Sequence, residues 1–257
     1  MNRNTSITTE SGRYFLTDRI REEVDFRTTR QSEGLRQPPV QKPAPPCSKI
    51  IQLPNQETWS IPPCDLQAAI ANRESHRRFT PEPLSLDELA FLLWATQGVR
   101  VELHEAAVLR TVPSAGCRHP FETYLAVLRV EGLENGIYRY LPLDHSLVFE
   151  RDVENLPSHL TAATRGQSFT GHAAATFIWT AIPERTEWRY AEASYKVIAL
   201  DAGHVCQNLY LACEAIRAGT CAIAAYEQTL VDDLLGVDGN EEFSIYMAPV
   251  GKVIKQK

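Results

Sequence analysis

The sequence predicts an α+β fold in which helices pack around a mostly antiparallel sheet, and three patterns indicate it. Ser85 and Glu88 form a capping box that starts a helix. Residues 121–130 alternate as a strand does, and a hairpin signal follows at residues 134–136. Residues 195–218 hold the longest helical pattern of the chain. Strands joined by hairpins pair antiparallel, and the helices before and after them cover the sheet.

The composition is that of a soluble globular protein. The chain has 257 residues, of which 44% are hydrophobic and 23% charged, and these are ordinary values. The net charge of −6 leaves no cationic excess to neutralise phosphates, so we expect no nucleic-acid partner. No apolar run approaches the roughly 20 residues that span a bilayer, and the polar N-terminus does not resemble a signal peptide. We therefore expect a cytoplasmic protein without a membrane partner.

The six cysteines predict neither a metal site nor a disulfide framework, because none of them forms a C-x-x-C pair. Cys206 and Cys213 are seven residues apart, a spacing that lets them share one helix face. We expect both to pack as small apolar residues.

Two regions divide the chain by composition: an N-terminal Pro-rich arm over residues 1–64 and a folded domain over residues 65–257. Within the arm, residues 37–46 are so rich in proline that regular helix is excluded there. We expect an extended arm that lies over a surface of this subunit or of a partner. A disordered tail is the alternative.

Local signals place the first helices of the domain. Asp65 is positioned to cap a helix that runs to Arg73. Leu84 and Leu89 flank the capping box and can form a hydrophobic staple, and Gly98 stands where that helix should end.

The remaining short elements follow in order along the chain. Tyr138 and Tyr140 fall on one face of the return strand of the hairpin. Residues 173–182 are almost continuously apolar, which indicates a strand buried on both faces. Residues 231–235 read as a short helix, and residues 244–250 as a last strand.

The long helical pattern over residues 195–218 is followed by Gly219, a natural C-terminal stop. It is apolar around most of its circumference. Such a helix is usually buried, either in a core or at a subunit interface.

Arg73, Ser75 and Arg77 form the first candidate binding group. In an extended segment these alternating residues point to one side, and in a helix the two arginines still share a face. Two guanidinium groups and a hydroxyl suit a phosphate. The alternative is a solvated basic helix end that complements the helix dipole.

The loop Pro113, Ser114, Ala115 and Gly116 is the second candidate group. Small and rigid residues let backbone N–H and C=O groups lie against a flat polar ring. The alternative is an ordinary connection between a helix and a strand. Together with Arg73, Ser75 and Arg77, the loop predicts a cofactor that combines a flat ring with a phosphate.

The chain resembles the nitroreductase superfamily, and within it the SagB-like branch, whose dehydrogenases oxidise thiazoline and oxazoline rings in modified peptides. The resemblance covers roughly residues 65–251 and occurs in family order. The matching segments are residues 72–79, 83–89, 93–98, 110–116, 120–122, 136–140, 201–208 and 234–239.

The resemblance implies FMN as the cofactor. It places Arg73, Ser75 and Arg77 at the phosphate and ribityl chain, and Pro113, Ser114, Ala115 and Gly116 along the isoalloxazine ring. Lys252, in the C-terminal segment, is a further candidate phosphate contact by the same resemblance. Hydride would enter and leave at N5 of the flavin, while the protein supplies orientation and electrostatics.

Arg189 and Tyr190 are the candidate catalytic residues that the resemblance implies. The azoline-oxidising relatives carry a Lys-Tyr pair here, whereas this chain has Arg189 before Tyr190. A guanidinium is a poor general base, although it can bind an anion or stabilise negative charge. Arg118 and His119, which follow the loop, could line the substrate side of the flavin.

The resemblance also implies a homodimer with FMN at the interface and the long helix packed in it. We predict an FMN-dependent oxidoreductase acting on an unassigned small-molecule or peptide substrate, with NAD(P)H as a possible electron donor. A SagB-like dehydrogenase of peptide azolines and a non-catalytic flavin-binding scaffold subunit remain the alternatives.

Overall fold

A mostly antiparallel sheet with helices on both faces forms the centre of the protein. The computed structural model describes residues 8–104 and 107–254; residues 1–7 of the predicted arm and 255–257 of the predicted domain lie outside the described residues. The α-helices are α1 (Thr9–Leu16), α2 (Ile20–Glu23), α3 (Leu66–Asn72), α4 (Leu86–Gln97), α5 (Leu156–Ala163), α6 (Glu184–Tyr190), α7 (Ser194–Ala215) and α8 (Gln228–Leu235). Short 3-10 helices cover Phe26–Thr28, Ala115–Cys117, Ser168–His172 and Ala191–Ala193. None of the described helices is long and apolar enough to cross a membrane.

The strands form a large sheet and a separate two-stranded ribbon. They are β1 (Ile50–Gln52), β2 (Val99–His104), β3 (Ala107–Arg110), β4 (Phe121–Val127), β5 (Gly136–Leu141), β6 (Ser146–Arg151), β7 (Ala175–Ala181), β8 (Ala218–Thr220) and β9 (Phe243–Lys252). Within the described residues the large sheet has the order β1-β6-β5-β4-β7-β9-β8, with every neighbouring pair antiparallel. The predicted fold class is therefore confirmed.

The two faces of the sheet are covered differently. On one face α4 and α7 enclose an apolar cluster that includes Tyr138, Tyr140 and both helical cysteines, Cys206 and Cys213. On the other face α5 and α8 cover a second cluster. β7 is buried throughout, as its continuous apolar pattern predicts.

The predicted helix caps are present. The Asp65 side chain accepts a hydrogen bond from the amide of Ala68, and Ser85 and Glu88 form the reciprocal capping box. Gly98 ends α4 with φ −60°, and a Cβ added there would lie 2.4 Å from Cδ1 of Trp94. Lack of space, rather than a left-handed turn, therefore requires glycine at this position.

Several element boundaries differ from the prediction: α8 begins at Gln228 rather than residue 231, and β9 covers Phe243–Lys252 rather than residues 244–250. α7 ends at Ala215 rather than residue 218, because residues 218–220 leave the helix to pair with β9 at the sheet edge. The chain reverses at Arg217, with φ 53°, and Gly219 lies inside β8. In the hairpin, Val127 pairs with Gly136, so residues 128–135 form the connection and Gly136 begins the return strand.

The Pro-rich segment, residues 37–46, lies on this subunit. Two buried arginines of the domain bind its backbone: Nη2 of Arg110 donates to the carbonyl of Val40 (2.7 Å), and Nη1 of Arg139 donates to that of Lys42 (2.7 Å). The Lys42 amide donates to Glu122 (2.8 Å). These bonds satisfy backbone groups that proline-containing chain cannot pair in regular structure. Further along the arm, β1 joins the sheet beside β6.

The part of the arm before the Pro-rich segment packs on α6. The indole Nε1 of Trp188 donates to the carbonyl of Leu35 (3.0 Å), and the amide of Gln31 donates to the carbonyl of Trp188 (2.8 Å). Arg30 forms an ion pair with Glu184 (2.8 Å). The arm thus contacts the helix that ends in Arg189 and Tyr190.

Candidate functional site

The segment with Arg73, Ser75 and Arg77 is extended, so its alternating side chains point to one side. α3 ends at Asn72, and Ser75 forms a parallel bridge with Thr220 of β8. The hydroxyls of Ser75 and Tyr210 are 2.9 Å apart, and the guanidinium of Arg73 lies 5.4 Å from the centre of the Tyr210 ring. The helical alternative for this segment is therefore excluded.

Neither Arg73 nor Arg77 forms an ion pair with a carboxylate of the described residues. Arg77 is exposed and Arg73 is partly so. Two uncompensated guanidinium groups beside a hydroxyl fit a phosphate.

The side chain of Lys252 binds other partners, although its carbonyl accepts a hydrogen bond from the amide of Thr80, just after this segment. Its ammonium pairs with Glu88 and donates to the carbonyl of Ile216 (2.8 Å) at the end of α7. The side chain is 12% exposed. In the described chain the Lys252 side chain therefore links α4 to the end of α7, and its role at a phosphate stays a prediction.

The loop from Pro113 to Gly116 is anchored to α7 by Asp201. The Ser114 hydroxyl donates to Oδ2 of Asp201 (2.6 Å), and the amide of Ala115 donates to the same oxygen (3.1 Å). Asp201 is 5% exposed, and burial raises its pKa although both hydrogen bonds oppose the shift. Sequence reasoning missed this anchor; the signal was an acidic residue inside a largely apolar helix.

Gly116 is the point where the loop meets α6. Its φ is 58°, and an added Cβ would lie 2.7 Å from both Cδ of Arg189 and the hydroxyl oxygen of Tyr190. Glycine is required here by conformation and by space. The structure therefore brings the loop together with both candidate catalytic residues.

Two guanidinium groups lie near the ring of Tyr190. The guanidinium carbons of Arg189 and of Arg21, from α2, are each 5.6 Å from the ring centre. Since Arg21 belongs to the N-terminal arm, the arm forms one side of the surroundings of Tyr190.

Arg118 and His119 are both buried directly after the loop. Nε of Arg118 donates to the carbonyl of Gly116 (2.8 Å), and its guanidinium lies 5.1 Å from the Trp188 ring centre. The amide of His119 donates to the Ser114 hydroxyl (2.9 Å), and its Nε2 lies 3.1 Å from the carbonyl of Val108. His119 thus braces the loop, while Arg118 reaches the side of Gly116 where α6 lies.

His119 gives a pH-dependent prediction. Burial lowers its pKa from 6.5 to about 3, so the folded protein keeps this imidazole neutral where the unfolded chain binds a proton. Between these two values its contribution to stability falls as the pH falls, with a slope of up to about 1.4 kcal/mol per pH unit. We expect His119→Asn, which tolerates the φ of 47°, to remove this slope in urea unfolding from pH 7 to about pH 4.

The control for that experiment is His159→Asn, which changes an exposed histidine of α5. It should leave the slope unchanged. Parallel stability curves for His119→Asn and the wild type would contradict the assignment of a buried neutral imidazole.

The segment with Arg73 and Ser75 and the loop from Pro113 to Gly116 contact opposite sides of α7. Tyr210, which contacts Arg73 and Ser75, follows Asp201, which holds the loop, by nine residues. Nine residues are about two and a half turns and about 13 Å along a helix axis. Their separation fits the two ends of an elongated cofactor. In a single subunit, however, the two sets of residues face opposite sides of α7.

Comparisons with known proteins identify relatives of this chain. The model of the nitroreductase family matches residues 70–252. MJ1384 of Methanocaldococcus jannaschii, a nitroreductase by its name, is 33% identical over 80% of this chain and 97% of its own length. The trifolitoxin-processing protein TfxB of Rhizobium leguminosarum bv. trifolii is 30% identical over 62% of this chain and 44% of its own.

Solved structures show the same fold. A nitroreductase crystal structure from Ralstonia eutropha has a TM-score of 0.66 at 26% identity and covers 86% of this chain and all of its own. One from Anabaena variabilis has a TM-score of 0.67 at 29% identity and covers 81% of this chain. This chain spans less than half of TfxB and of the Anabaena protein (44% and 42%).

Proposed function

The chain belongs to the nitroreductase family, and from this premise we propose that it is an FMN-dependent oxidoreductase. Arg73, Ser75 and Arg77 bind the phosphate and ribityl chain, and the loop from Pro113 to Gly116 lies along the ring. When bound, FMN supplies hydride acceptance and donation at N5. The observation that carries the proposal is the pair of uncompensated arginines on one side of an extended segment, anchored to the same helix as the loop.

In this proposal Arg189 and Tyr190 act on the substrate side of the loop. The guanidinium of Arg189 stabilises negative charge that develops there, by the logic of an oxyanion hole. The Tyr190 hydroxyl, beside Gly116, is positioned to hold or deliver a proton. The arm shields this side from water through Arg21, which covers the Tyr190 ring.

We propose a homodimer as the working unit. The exposed residues of α7 share one side of the helix: Tyr195, Ala199, Leu200, Gly203, His204 and Gln207. Leu66 and Ile70 of α3 are also exposed, at 63% and 58%. In one subunit Arg73, Ser75 and Arg77 lie on the opposite side of α7 from the loop. Pairing this surface with a second copy would bring these residues of one subunit toward the loop of the other. Each FMN would then be held by both subunits.

For the substrate, reduction of a small molecule with electrons from NAD(P)H is the first candidate. The second is oxidation of azoline rings in a modified peptide, favoured by the likeness to TfxB, whose name describes trifolitoxin processing. Arg189 stands against the second candidate, because a guanidinium is a poor base for removing a substrate proton.

The test is chromatography with light scattering and flavin absorbance, followed by anaerobic addition of NADH or NADPH. We expect FMN to elute with a particle of twice the chain mass of 28.9 kDa, and one nucleotide to bleach the flavin. A protein that elutes without flavin and takes up none when FMN is added would contradict the cofactor proposal. A flavin-bearing monomer would contradict only the dimer, and a flavin that neither nucleotide bleaches would favour the peptide candidate.

A further inference from the structure

Two guanidinium groups meet at Gly116. Arg118 reaches the residue from its own loop, with Nε donating to the Gly116 carbonyl (2.8 Å). Arg189 reaches it from α6, with Nε 2.9 Å from the position that a Cβ of residue 116 would take. The arginines therefore lie next to each other although they are 71 positions apart in sequence.

This pair has no acidic partner in the described chain, and it also differs from Arg110, a buried arginine whose guanidinium is held by two neutral acceptors, the side chain of Gln97 and the carbonyl of Val40. Arg139 and Arg185, also buried, form ion pairs with Glu122. In the described part of the chain, no carboxylate pairs with Arg118 or Arg189, although Arg118 is only 6% exposed. Burial and the neighbouring charge of Arg189 both lower the pKa of Arg118.

Two adjacent guanidinium groups without an acid cost free energy in the folded protein. Stacking of Arg118 on Trp188 and of Arg189 on Tyr190 offsets part of that cost. A bound anion would offset the rest, and the planar fork of arginine matches the two oxygens of a carboxylate.

We propose that Arg118 and Arg189 form a subsite for the carboxylate of the substrate, beside Gly116 and the Tyr190 hydroxyl. This inference rests on the proposed function and adds a substrate class to it: small organic acids. Arg118 is the fixed, buried member of the subsite, and Arg189 is the partly exposed member through which the carboxylate enters.

The probe is benzoate, with benzamide as its neutral counterpart of nearly equal shape. Calorimetric titration of the FMN-loaded protein should show benzoate binding about tenfold or more tighter than benzamide. Arg118→Gln and Arg189→Gln should each weaken benzoate binding about tenfold and change benzamide binding by less than about twofold. Arg165→Gln, which removes an equal charge from a surface ion pair with Glu227, should change neither.

Equal affinity for the two probes in the wild type, or no binding of either, would overturn the subsite. If both variants weakened benzoate and benzamide alike, or released FMN, the pair would serve the flavin rather than a carboxylate. Because Arg189 is partly exposed, Arg189→Gln keeps the test valid should Arg118→Gln fail to fold. Flavin content measured before each titration separates this result from the proposed function, which fails only when FMN is not bound.

Discussion

Replacing Arg73 and Arg77 together by alanine is expected to give a folded protein that no longer retains FMN. Each guanidinium would form charge-assisted hydrogen bonds with the phosphate, worth about 1.5–3 kcal/mol apiece. Loss of both should weaken FMN binding about 10²- to 10⁴-fold. The fold should persist, because Arg77 is exposed and the contacts of the segment with β8 use backbone groups. Fluorescence titration of the apoprotein measures the change.

Riboflavin, which lacks the phosphate, separates this role from a general loss of the site. The double variant should lose much less affinity for riboflavin than for FMN, because riboflavin offers these residues only its ribityl chain. Arg78→Ala provides the matched control, since residue 78 is also an exposed arginine but points to the other side of the extended segment. Equal loss of FMN and riboflavin affinity, or an equal effect of Arg78→Ala, would contradict the phosphate assignment.

The same variant tests how the two subunits share the cofactor. Suppose that each FMN is bound by Arg73 and Arg77 of one subunit and by the loop of the other. Mixing the double variant with Gly116→Val then gives one intact site in each mixed dimer. Random mixing would restore FMN binding at about one site in four. No restoration would show that both groups act on an FMN held by the same chain.

The parts of the fold that the sequence predicts well depend on neighbouring residues. Asp65 and the pair Ser85–Glu88 cap their helices through hydrogen bonds to backbone three residues away, so these caps can be predicted from the local sequence alone. The end of α7 cannot be predicted in this way. It depends on residues 218–220 pairing with β9, whose paired residues 250–252 lie 30 to 34 positions further along the chain. Gly219 is needed because a Cβ there would lie 2.5 Å from the His76 ring.

The candidate site divides in the same way. The Arg73, Ser75 and Arg77 pattern needs only an extended backbone to share a side, so spacing could predict it. The role of Asp201 and the approach of Arg189 to Gly116 depend on how α6 and α7 pack against the loop. The placement of the Pro-rich segment likewise depends on Arg110 and Arg139, which lie in strands far along the chain. Composition predicted an extended arm but not the surface that it covers.

Glu122→Gln is expected to destabilise the protein by about 3–5 kcal/mol, the cost of breaking a buried ion pair. Glu122 is 2% exposed and pairs with Arg185, lies 3.5 Å from Nη1 of Arg139, and accepts the Lys42 amide. A neutral amide of equal size would leave two buried guanidinium groups short of negative charge. The free energy of unfolding in urea measures the loss. Glu150→Gln, which affects the same Arg139 from a side chain 19% exposed, should cost less, because Arg139 keeps Glu122 as a partner.

The position of Glu122 also predicts which parts of the protein lose stability first in Glu122→Gln. This one carboxylate holds the Pro-rich segment through Lys42 and holds α6 through Arg185, and α6 ends in Arg189 and Tyr190. In Glu122→Gln, amide hydrogen exchange should therefore accelerate in both the Pro-rich segment and α6 under native conditions. α5, which packs over the second apolar cluster, should keep its protection from amide hydrogen exchange. Uniform acceleration along the chain would show that Glu122 stabilises the whole fold without a specific link between the arm and the candidate catalytic helix.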